Sequence, residues 1–281
     1  MNILIIGGKG MLGSMLTNTL QENHNVTSWD RDEIDISQER EVEKKIGQQK
    51  VDIIINAAAF TAVDDCEVKQ DIAMQVNGTA VGYLAKQAAK LDIPIVHYST
   101  DYVFDGHKKE GYNENDQPDP LSMYGKSKYQ GEQELRKNCK KFYLIRTSWL
   151  YGPNGKNWVD TMVHLAKTKD KLSIVNDQHG KPTYTKDLAA TTKTIIEGKK
   201  DYGIYHVTNE GETTWYDFGK AIFALKKLPI PVSTTTTAEF FQNRPYFAQR
   251  PEYSSLNNTK LPQLRSWQEA VKEYLEQYQA N

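Results

Sequence analysis

Several features that would place this chain in a specialised class of protein are missing from its sequence. Its 281 residues include only two cysteines, Cys66 and Cys139, so a disulfide framework is excluded and a reducing compartment is expected. No apolar run approaches the roughly 18 residues that a membrane-spanning helix needs. Neither sign of charge dominates, since 35 basic residues face 36 acidic ones, and this balance argues against a nucleic-acid partner or a membrane-binding arm. The first residues also lack the regions of a signal peptide, so we expect a cytoplasmic protein.

The beginning of the chain has the order strand, glycine turn, helix. Asn2–Ile6 is an apolar run typical of a strand that is buried on both faces. Gly7, Gly10 and Gly13 follow at intervals of three, and Met11–Leu20 has helical character. Glycines let the backbone approach a pyrophosphate at the N-terminus of a helix, so this stretch predicts a dinucleotide site. The spacing G-x-x-G-x-x-G is one residue looser at its front than the usual Rossmann pattern.

The residues after the second predicted strand, Asn25–Trp29, bear on the choice of cofactor. Asp30 and Arg31 stand where a Rossmann unit meets the adenine ribose. A carboxylate there accepts a hydrogen bond from the free ribose hydroxyl of NAD, whereas an arginine binds the phosphate of NADP. The pair therefore predicts use of both cofactors, with some preference for NADPH. Asp35 and Ile36 come next, and the carboxylate either caps the following helix or reaches the adenine amino group.

Strands and helices alternate up to Gly152, which predicts a doubly wound parallel sheet. The further strands predicted in this part are Val51–Asn56, Pro94–Ser99 and Phe142–Arg146, and the helices are Ser37–Gly47, Asp71–Leu91 and Ser122–Lys137. Beyond Gly152 we predict strands at Leu172–Val175 and Gly203–Thr208. The helices predicted there are Asn157–Lys169, Tyr184–Glu197, Thr214–Lys226 (capped by Thr213 or Thr214) and Ser266–Gln279. The expected fold is therefore α/β, with an NAD(P)-binding Rossmann domain at 1–150 and a smaller C-terminal α/β substrate lobe at 151–281. Residues from about 184 to 208 are expected to return to the first domain.

Small side chains after the third strand would let a cofactor lie close to the backbone. Together with the first turn of the first helix and a polar residue of the helix predicted at Asp71–Leu91, they complete the expected cofactor site. Its further members are Met11, Leu12, Ala57, Ala58, Ala59 and Asn77.

Thr100, Tyr124 and Lys128 have the residue types and the order needed to reduce a carbonyl group beside a nicotinamide. Tyr124 and Lys128 are four residues apart and share one helical face. The ordinary phenol pKa near 10 is too high for proton exchange at neutral pH, and a neighbouring ammonium would lower it by direct charge interaction. We also expect Lys128 to hold the nicotinamide ribose and Thr100 to hold the substrate oxygen against the phenol.

These residues carry a resemblance to the extended short-chain dehydrogenase/reductase family that runs nearly from end to end. More narrowly, five segments resemble the dTDP-4-dehydrorhamnose reductases: NAAAFTAVD (Asn56–Asp64), HYSTDYVFDG (His97–Gly106), YGKSK (Tyr124–Lys128), RTSWLYG (Arg146–Gly152) and NDQHGKPT (Asn176–Thr183). That family reduces the 4-keto group of dTDP-4-dehydro-L-rhamnose with NADPH or NADH, the last step of dTDP-L-rhamnose synthesis for cell-surface polysaccharide. The resemblance implies the same activity here and makes Thr100, Tyr124 and Lys128 the catalytic triad.

The resemblance also implies a substrate site. Asp101, Tyr102 and Trp149 correspond to residues that line the sugar pocket, together with Thr100. Arg250 corresponds to a position that faces the nucleotide diphosphate, which suits the fork of a guanidinium. The expected partner is thus a dTDP-linked sugar.

Three other functions compete with this one. A dehydratase of the same superfamily would place an aspartate and a glutamate after the threonine, but Tyr102 follows Asp101 here, which disfavours elimination. An epimerase or another nucleotide-sugar reductase would use the same tyrosine and lysine. The resemblance further extends to the regulatory subunit of methionine adenosyltransferase, so a non-catalytic NADP-binding subunit is the third alternative.

No metal site is expected. Some rhamnose-pathway reductases resemble one another in dimerising through magnesium held by acidic side chains, and this chain has Met15 and Lys186 where two of those acids align. We therefore expect a monomer or a weak homodimer without a metal bridge.

Overall fold

The computed structural model describes residues 1–242 and 246–278. Its strands are β1 (Asn2–Ile6), β2 (Asn25–Trp29), β3 (Ile53–Asn56), β4 (Ile95–Thr100), β5 (Phe142–Thr147), β6 (Leu150–Tyr151), β7 (Leu172–Val175), β8 (His179–Gly180), β9 (Thr183–Tyr184), β10 (Gly203–His206), β11 (Thr213–Thr214) and β12 (Val232–Thr235). Six of them form one parallel sheet in the order β10-β5-β4-β3-β1-β2. The predicted α/β fold with a doubly wound parallel sheet is confirmed.

Helices cover both faces of this sheet and also pack together in the second half of the chain. They are α1 (Met11–Leu20), α2 (Glu39–Gly47), α3 (Val63–Val68), α4 (Gln70–Ala73), α5 (Ala80–Lys90), α6 (Met123–Asn138), α7 (Trp158–Thr168), α8 (Thr185–Glu197), α9 (Trp215–Leu225), α10 (Thr237–Phe241) and α11 (Trp267–Gln277). A π-helix at Met74–Thr79 joins α4 to α5, and a 3-10 turn at Asp101–Val103 follows β4. No helix in the described part of the chain has the length and apolar character of a membrane span.

Two predicted helices differ from the observed ones. The helix expected at Asp71–Leu91 is present without a break, but it is not α-helical throughout, because α4, the π-helix and α5 succeed one another there. A π-turn adds a residue to the helical repeat, and the apolar pattern does not reveal such an insertion. The last predicted helix ends at Gln277 in the structure, and its expected end at Gln279 lies outside the described residues. Of the two threonines considered as caps of α9, it is Thr214 that accepts the N–H of Asp217.

The apolar strands of the sheet pack against helices on both faces, and each face has its own hydrophobic core. In β1, Ile3 and Ile5 pack toward α1 and α8, whereas Leu4 and Ile6 pack toward α2, α5 and α6. This alternation follows from the two-residue period of a strand. The strand is buried on both faces, as its composition predicts.

The remaining elements form a third core around α7, α9 and α11, with Tyr151, Tyr184 and Phe218 at its centre. Strand β10 pairs in parallel with β5 at the edge of the main sheet, and α8 packs against α1. The chain thus passes from the main sheet to the third core and back.

Candidate active site

The glycine turn after β1 forms a close backbone surface beside the start of α1. Gly7 has a φ of +82°, and a Cβ at this position would lie 2.6 Å from the backbone nitrogen of Ala58. Gly10 is the N-cap of α1, and among the described residues no side chain caps this helix. A dinucleotide fits such a surface, because its pyrophosphate needs a close backbone and free N–H groups at a helix N-terminus.

A cleft of about 670 Å³ lies beside this turn. Nine of the residues predicted to contact the cofactor line it: Gly7, Gly10, Asp30, Arg31, Asp35, Ile36, Ala57, Ala58 and Ala59. The other predicted contacts lie outside that lining, and they are Met11, Leu12, Gly13, Asn77, Tyr124 and Lys128. Sequence reasoning missed six lining residues, namely Ile6, Lys9, Ile34, Ser37, Ile72 and Val76. Ile6 and Lys9 could have been found, because they lie directly before and within the glycine turn, whereas the others reach the cleft through packing.

Asp30 and Arg31 differ in how firmly they are held. The carboxylate of Asp30 accepts the backbone N–H groups of Lys9 (3.1 Å) and Arg31 (2.8 Å). Arg31 itself is exposed at the cleft. Asp30 is therefore fixed before any ligand arrives, and the guanidinium of Arg31 is accessible to one.

Asp35 does not cap helix α2, as one of its two predicted roles required. Its Oδ1 accepts the N–H of Ser37 at 2.9 Å, but α2 begins at Glu39 with Gln38 as its N-cap. The carboxylate therefore supports the turn before the helix and lines the cleft at the same time.

Asn77 is buried within the π-helix and its amide is bound to other parts of the protein. Its Oδ1 accepts the N–H of Phe60 (2.7 Å), and its Nδ2 donates to the carbonyl oxygen of Phe60 (2.9 Å) and to Ser127 Oγ (3.0 Å). Both amide protons are thus used inside the protein. The side chain ties the segment after β3 to α6.

The three predicted catalytic residues, Thr100, Tyr124 and Lys128, come from two neighbouring elements. Thr100 ends β4, while Tyr124 and Lys128 stand in the first turns of α6. The ring of Tyr124 contacts that of Tyr102 edge to face, with centroids 5.6 Å apart. Ser122 caps α6 by accepting the N–H of Gly125, which sets the start of the helix next to the end of β4.

The hydroxyl proton of Thr100 points to its neighbour Asp101. Thr100 Oγ1 donates to Asp101 Oδ1 at 2.8 Å and accepts the N–H of Tyr102 at 3.2 Å. Asp101 is 1% exposed, and burial raises its pKa to about 6. Its second oxygen, Oδ2, has no hydrogen-bond partner among the described residues.

Tyr124 and Lys128 depart from the expected electrostatics. Burial raises the pKa of the Tyr124 phenol above its ordinary value, and the nearby charge of Asp101 raises it further. Lys128 Nζ donates to the carbonyl oxygen of Tyr98 at 2.7 Å, and burial lowers its pKa to about 8. The pKa of the phenol is thus raised where the sequence predicts a lowering, because burial is the largest cause and the Lys128 ammonium, bound to the Tyr98 carbonyl oxygen, is not among the charges that act on it. The phenol stays protonated and can act as a proton donor.

A second cleft of about 520 Å³ begins at Tyr102. Arg250 lines it as well, as the predicted substrate site requires, and the remaining walls are largely apolar. They include Trp158, Met162, Leu165, Ile174, Val175, Trp215, Phe240 and Phe241. Thr100, Tyr124 and Lys128 do not line this cleft themselves, and Tyr102 links it to them through its contact with Tyr124.

Of the residues predicted to contact the substrate, Tyr102 and Arg250 line the second cleft, whereas Thr100, Asp101 and Trp149 do not. Among the described residues that line the second cleft, Trp215 is present and Trp149 is not. Trp149 stacks behind Trp215 and has a φ of +45°, which is uncommon for a side chain of this size. Sequence reasoning missed Trp215, because its helix carries no motif that we had linked to the substrate.

The described residues contain no group of three or more His, Cys, Asp or Glu side chains placed to hold a metal ion. Met15 is buried in the core beside the sheet. Lys186 forms an ion pair with Glu273.

Comparison with known proteins agrees with this geometry. Residues 1–280 match the family described as RmlD substrate binding domain. A dTDP-4-dehydrorhamnose reductase from Aggregatibacter actinomycetemcomitans is 41% identical over 289 residues, which cover 96% of this chain and 97% of that protein.

Two solved structures share the whole fold. A dTDP-4-dehydrorhamnose reductase from Clostridium acetobutylicum is 41% identical, with a TM-score of 0.94 and 99% of each chain covered. The reductase of the same name from Bacillus anthracis, solved in complex with NADP, is 35% identical, with a TM-score of 0.94 and 99% of each chain covered. The chain therefore belongs to the RmlD substrate-binding-domain family, among the dTDP-4-dehydrorhamnose reductases.

Proposed function

We propose that this protein reduces the 4-keto group of dTDP-4-dehydro-L-rhamnose with NADPH and forms dTDP-L-rhamnose, the last step in making this sugar donor for cell-surface polysaccharide. Its relatives carry the same activity in their names. The observation that supports the proposal is that Thr100 ends β4 while Tyr124 and Lys128 occupy the first turns of α6, where Tyr124 packs on Tyr102 of the second cleft and Lys128 donates to the Tyr98 carbonyl oxygen of β4.

The first cleft is the proposed NADPH site. The glycine turn and the start of α1 would hold the pyrophosphate, and Arg31 would face the 2′-phosphate. NADPH supplies the hydride when it is bound, and a relative has been solved with NADP. NADH stays an alternative, because Asp30 can accept the free ribose hydroxyl.

Tyr124 is the proposed proton donor. Its buried phenol passes its proton to O4 of the sugar as C4 gains a hydride, so the ketone becomes a hydroxyl group and the phenol becomes a phenolate. The phenolate then recovers a proton from solvent. Because its pKa is raised, the phenol is neutral and carries its proton before the reaction, and the phenolate is a strong base afterwards.

Lys128 and Thr100 support that transfer. The ammonium of Lys128 stands one turn further along α6 and is anchored to Tyr98. We assign it to the nicotinamide ribose, where its charge also favours the phenolate once formed. Thr100 orients the ketone, and Asp101 sets the direction of the Thr100 hydroxyl proton.

The substrate would occupy the second cleft. Asp101 and Tyr102 would contact the sugar, Trp149 would act there through the ring of Trp215, and Arg250 would bind the diphosphate. No elimination is expected, because Tyr102 stands where a dehydratase needs a second acid.

Three further expectations stay predictions. We propose that residues 1–150 act as the cofactor domain and 151–281 mainly as the substrate lobe, because the first cleft is lined by residues of the first part and the second mostly by residues of the second part, with Asp64 and Tyr102 added from the first. The monomeric or weakly dimeric state and the cytoplasmic location also await measurement.

The proposed function is tested by mixing the protein with NADPH and dTDP-4-dehydro-L-rhamnose and following absorbance at the nicotinamide band. NMR of the product then gives the configuration at C4. We expect NADPH oxidation with formation of dTDP-L-rhamnose, and a UDP-linked keto-sugar serves as the comparison substrate. NADPH binding without oxidation would instead indicate a regulatory subunit. Sugar conversion without net NADPH loss would indicate an epimerase, and the opposite C4 configuration would indicate another reductase.

A further inference from the structure

Arg250 is held in one place by contacts on three sides. Its Nη2 lies 2.9 and 3.0 Å from the two carboxylate oxygens of Asp64, and its Nη1 donates to the carbonyl oxygen of Ala248 at 2.6 Å. The guanidinium also lies over the ring of Phe241, 4.2 Å from the centroid. The side chain is 12% exposed. It is therefore ordered in the absence of a ligand.

Asp64 contacts both the side chain of Arg250 and the backbone that precedes it. Its Oδ1 accepts the N–H of Ala248 at 2.9 Å in addition to the guanidinium. The Asp64 carboxylate thus holds the backbone at Ala248 and also sets the orientation of the Arg250 guanidinium. Asp64 and Arg250 both line that cleft.

The helix that carries Asp64 is also connected to the catalytic helix. Glu67, in the same short helix α3, accepts the N–H of Met123 at 2.8 Å, and Met123 is the residue before Tyr124. Asp64 is therefore placed relative to the reacting group and to Arg250 at the same time.

Arg250 keeps donors for a second anion. A guanidinium has five N–H groups, and within residues 1–242 and 246–278 its hydrogen bonds involve Nη1 and Nη2 only. An unrestrained arginine would lose side-chain freedom on binding a diphosphate, and this loss weakens binding. A guanidinium that is already ordered avoids most of that loss.

We propose that Asp64 is a positioning residue that holds Arg250 ready for the diphosphate of a nucleotide sugar. This inference rests on the proposed function, since it takes the second cleft as the substrate site. The carboxylate does not touch the reacting atoms, so its effect falls on nucleotide affinity and acts through Arg250.

The test measures binding of dTDP to the complex with NADPH by calorimetry, in the wild type and in four variants. These are Asp64→Ala, Arg250→Ala, the double variant, and the control Asp65→Asn. Asp65 is a neighbour in α3 whose exposed carboxylate pairs with Lys69. Thymidine, which lacks phosphates, is titrated in parallel.

We expect Asp64→Ala to weaken dTDP binding about tenfold, in the range found for coupled neighbours, and to leave thymidine and NADPH binding unchanged. In the Arg250→Ala background the same change should have no further effect on dTDP. With the keto-sugar, KM should rise while kcat stays near that of the wild type. Asp65→Asn should behave as the wild type does.

Several results would overturn the assignment. Additive losses in the double variant would show that Asp64 does not act through Arg250, and tighter dTDP binding in Asp64→Ala would show that the carboxylate competes with the ligand. If Asp64→Ala does not fold, Asp64→Asn and Asp64→Glu replace it, and the charge-keeping Glu variant should bind dTDP better than the Asn variant. The reverse order would contradict the proposal. Absence of dTDP binding in the wild type would instead refute the substrate site itself.

Discussion

The indole of Trp149 lies flat against that of Trp215, with ring centroids 3.6 Å apart and 7° between the planes. The two residues come from different parts of the chain, one after β5 and one at the start of α9. The Trp215 indole N–H donates to Gln178 Oε1 at 3.0 Å, which fixes the ring that lines the second cleft. Gly180 lies against the ring of Trp149, so the two indoles form a stiff wall between β8 and the second cleft.

Gly180→Ala should disturb this wall. The added methyl would lie 2.6 Å from Trp149 Cε2, much closer than the 3.5–4.0 Å at which carbon atoms pack. We expect the free energy of unfolding to fall by about 1–3 kcal/mol and the KM for the keto-sugar to rise. Urea unfolding and steady-state kinetics measure both. Gly47→Ala is the control, since a methyl there meets only the amide end of Gln87; an equal loss in both variants would contradict the explanation.

Tyr124→Phe should remove the proton donor and leave the cofactor site intact. Turnover with the keto-sugar should fall by about 10² to 10⁴-fold, the usual contribution of a positioned acid. The Kd for NADPH, measured by fluorescence, should stay close to that of the wild type. Tyr129→Phe on the same helix is the control and should keep full turnover. Near-normal turnover of Tyr124→Phe would remove the phenol from the mechanism.

Arg31→Ala should weaken NADPH binding more than NADH binding. The exposed guanidinium is proposed to pair with the 2′-phosphate, which NADH lacks, and a charge-assisted contact of this kind contributes about 1.5–3 kcal/mol. The ratio of kcat/KM with the two cofactors is the measurement. Arg40→Ala, on the exposed side of α2, provides the matched control. Equal losses with both cofactors would show that Arg31 points elsewhere.

Asp101→Asn should stabilise the protein in a pH-dependent way. Burial raises the pKa of the Asp101 carboxyl from 3.8 to about 6, so the folded state binds its proton more tightly than the unfolded chain does. Stability from this group is present below pH 4 and is lost as the pH rises through 6. The loss is about 3 kcal/mol at neutral pH, from 1.36 kcal/mol for each pKa unit.

The variant has no such carboxylate, so its advantage over the wild type should be largest above pH 7 and should shrink toward pH 4. Urea unfolding at several pH values provides the comparison. An advantage that does not change with pH would contradict burial as the cause. Activity should fall at the same time, because the Thr100 hydroxyl loses its anionic acceptor.

Local pattern was sufficient for much of the fold. Strands β1, β2 and β7 and helix α1 have the bounds that the sequence predicts. In β1 this is because its apolar residues are buried along its length, whereas β2 is a largely exposed strand at the edge of the sheet. Helix α3 and the short strands β8 and β11 were not predicted. Segments of two to six residues are too short to show a period, and their pairing partners lie far away in the chain.

The order of Thr100, Tyr124 and Lys128 along the chain predicts that they lie near one edge of the sheet. The first stands at the carboxyl end of a parallel strand, and the other two share one face of the next helix, so the topology of the sheet brings them to the same edge. The sequence thus specified which groups meet. It could not specify their protonation, because the pKa of a buried group depends on solvent exclusion by the whole fold.

The sequence of this protein therefore determines its sheet, its glycine turn and the types of its reacting groups, since each depends on neighbours in the chain. Tertiary packing decides the rest. It aims the Lys128 ammonium at a strand carbonyl, keeps the Tyr124 phenol protonated, places Trp215 rather than Trp149 in the wall of the second cleft, and pairs Asp64 with Arg250. These contacts join residues that are distant in sequence, and no local pattern records the distance or the solvent exclusion on which they depend.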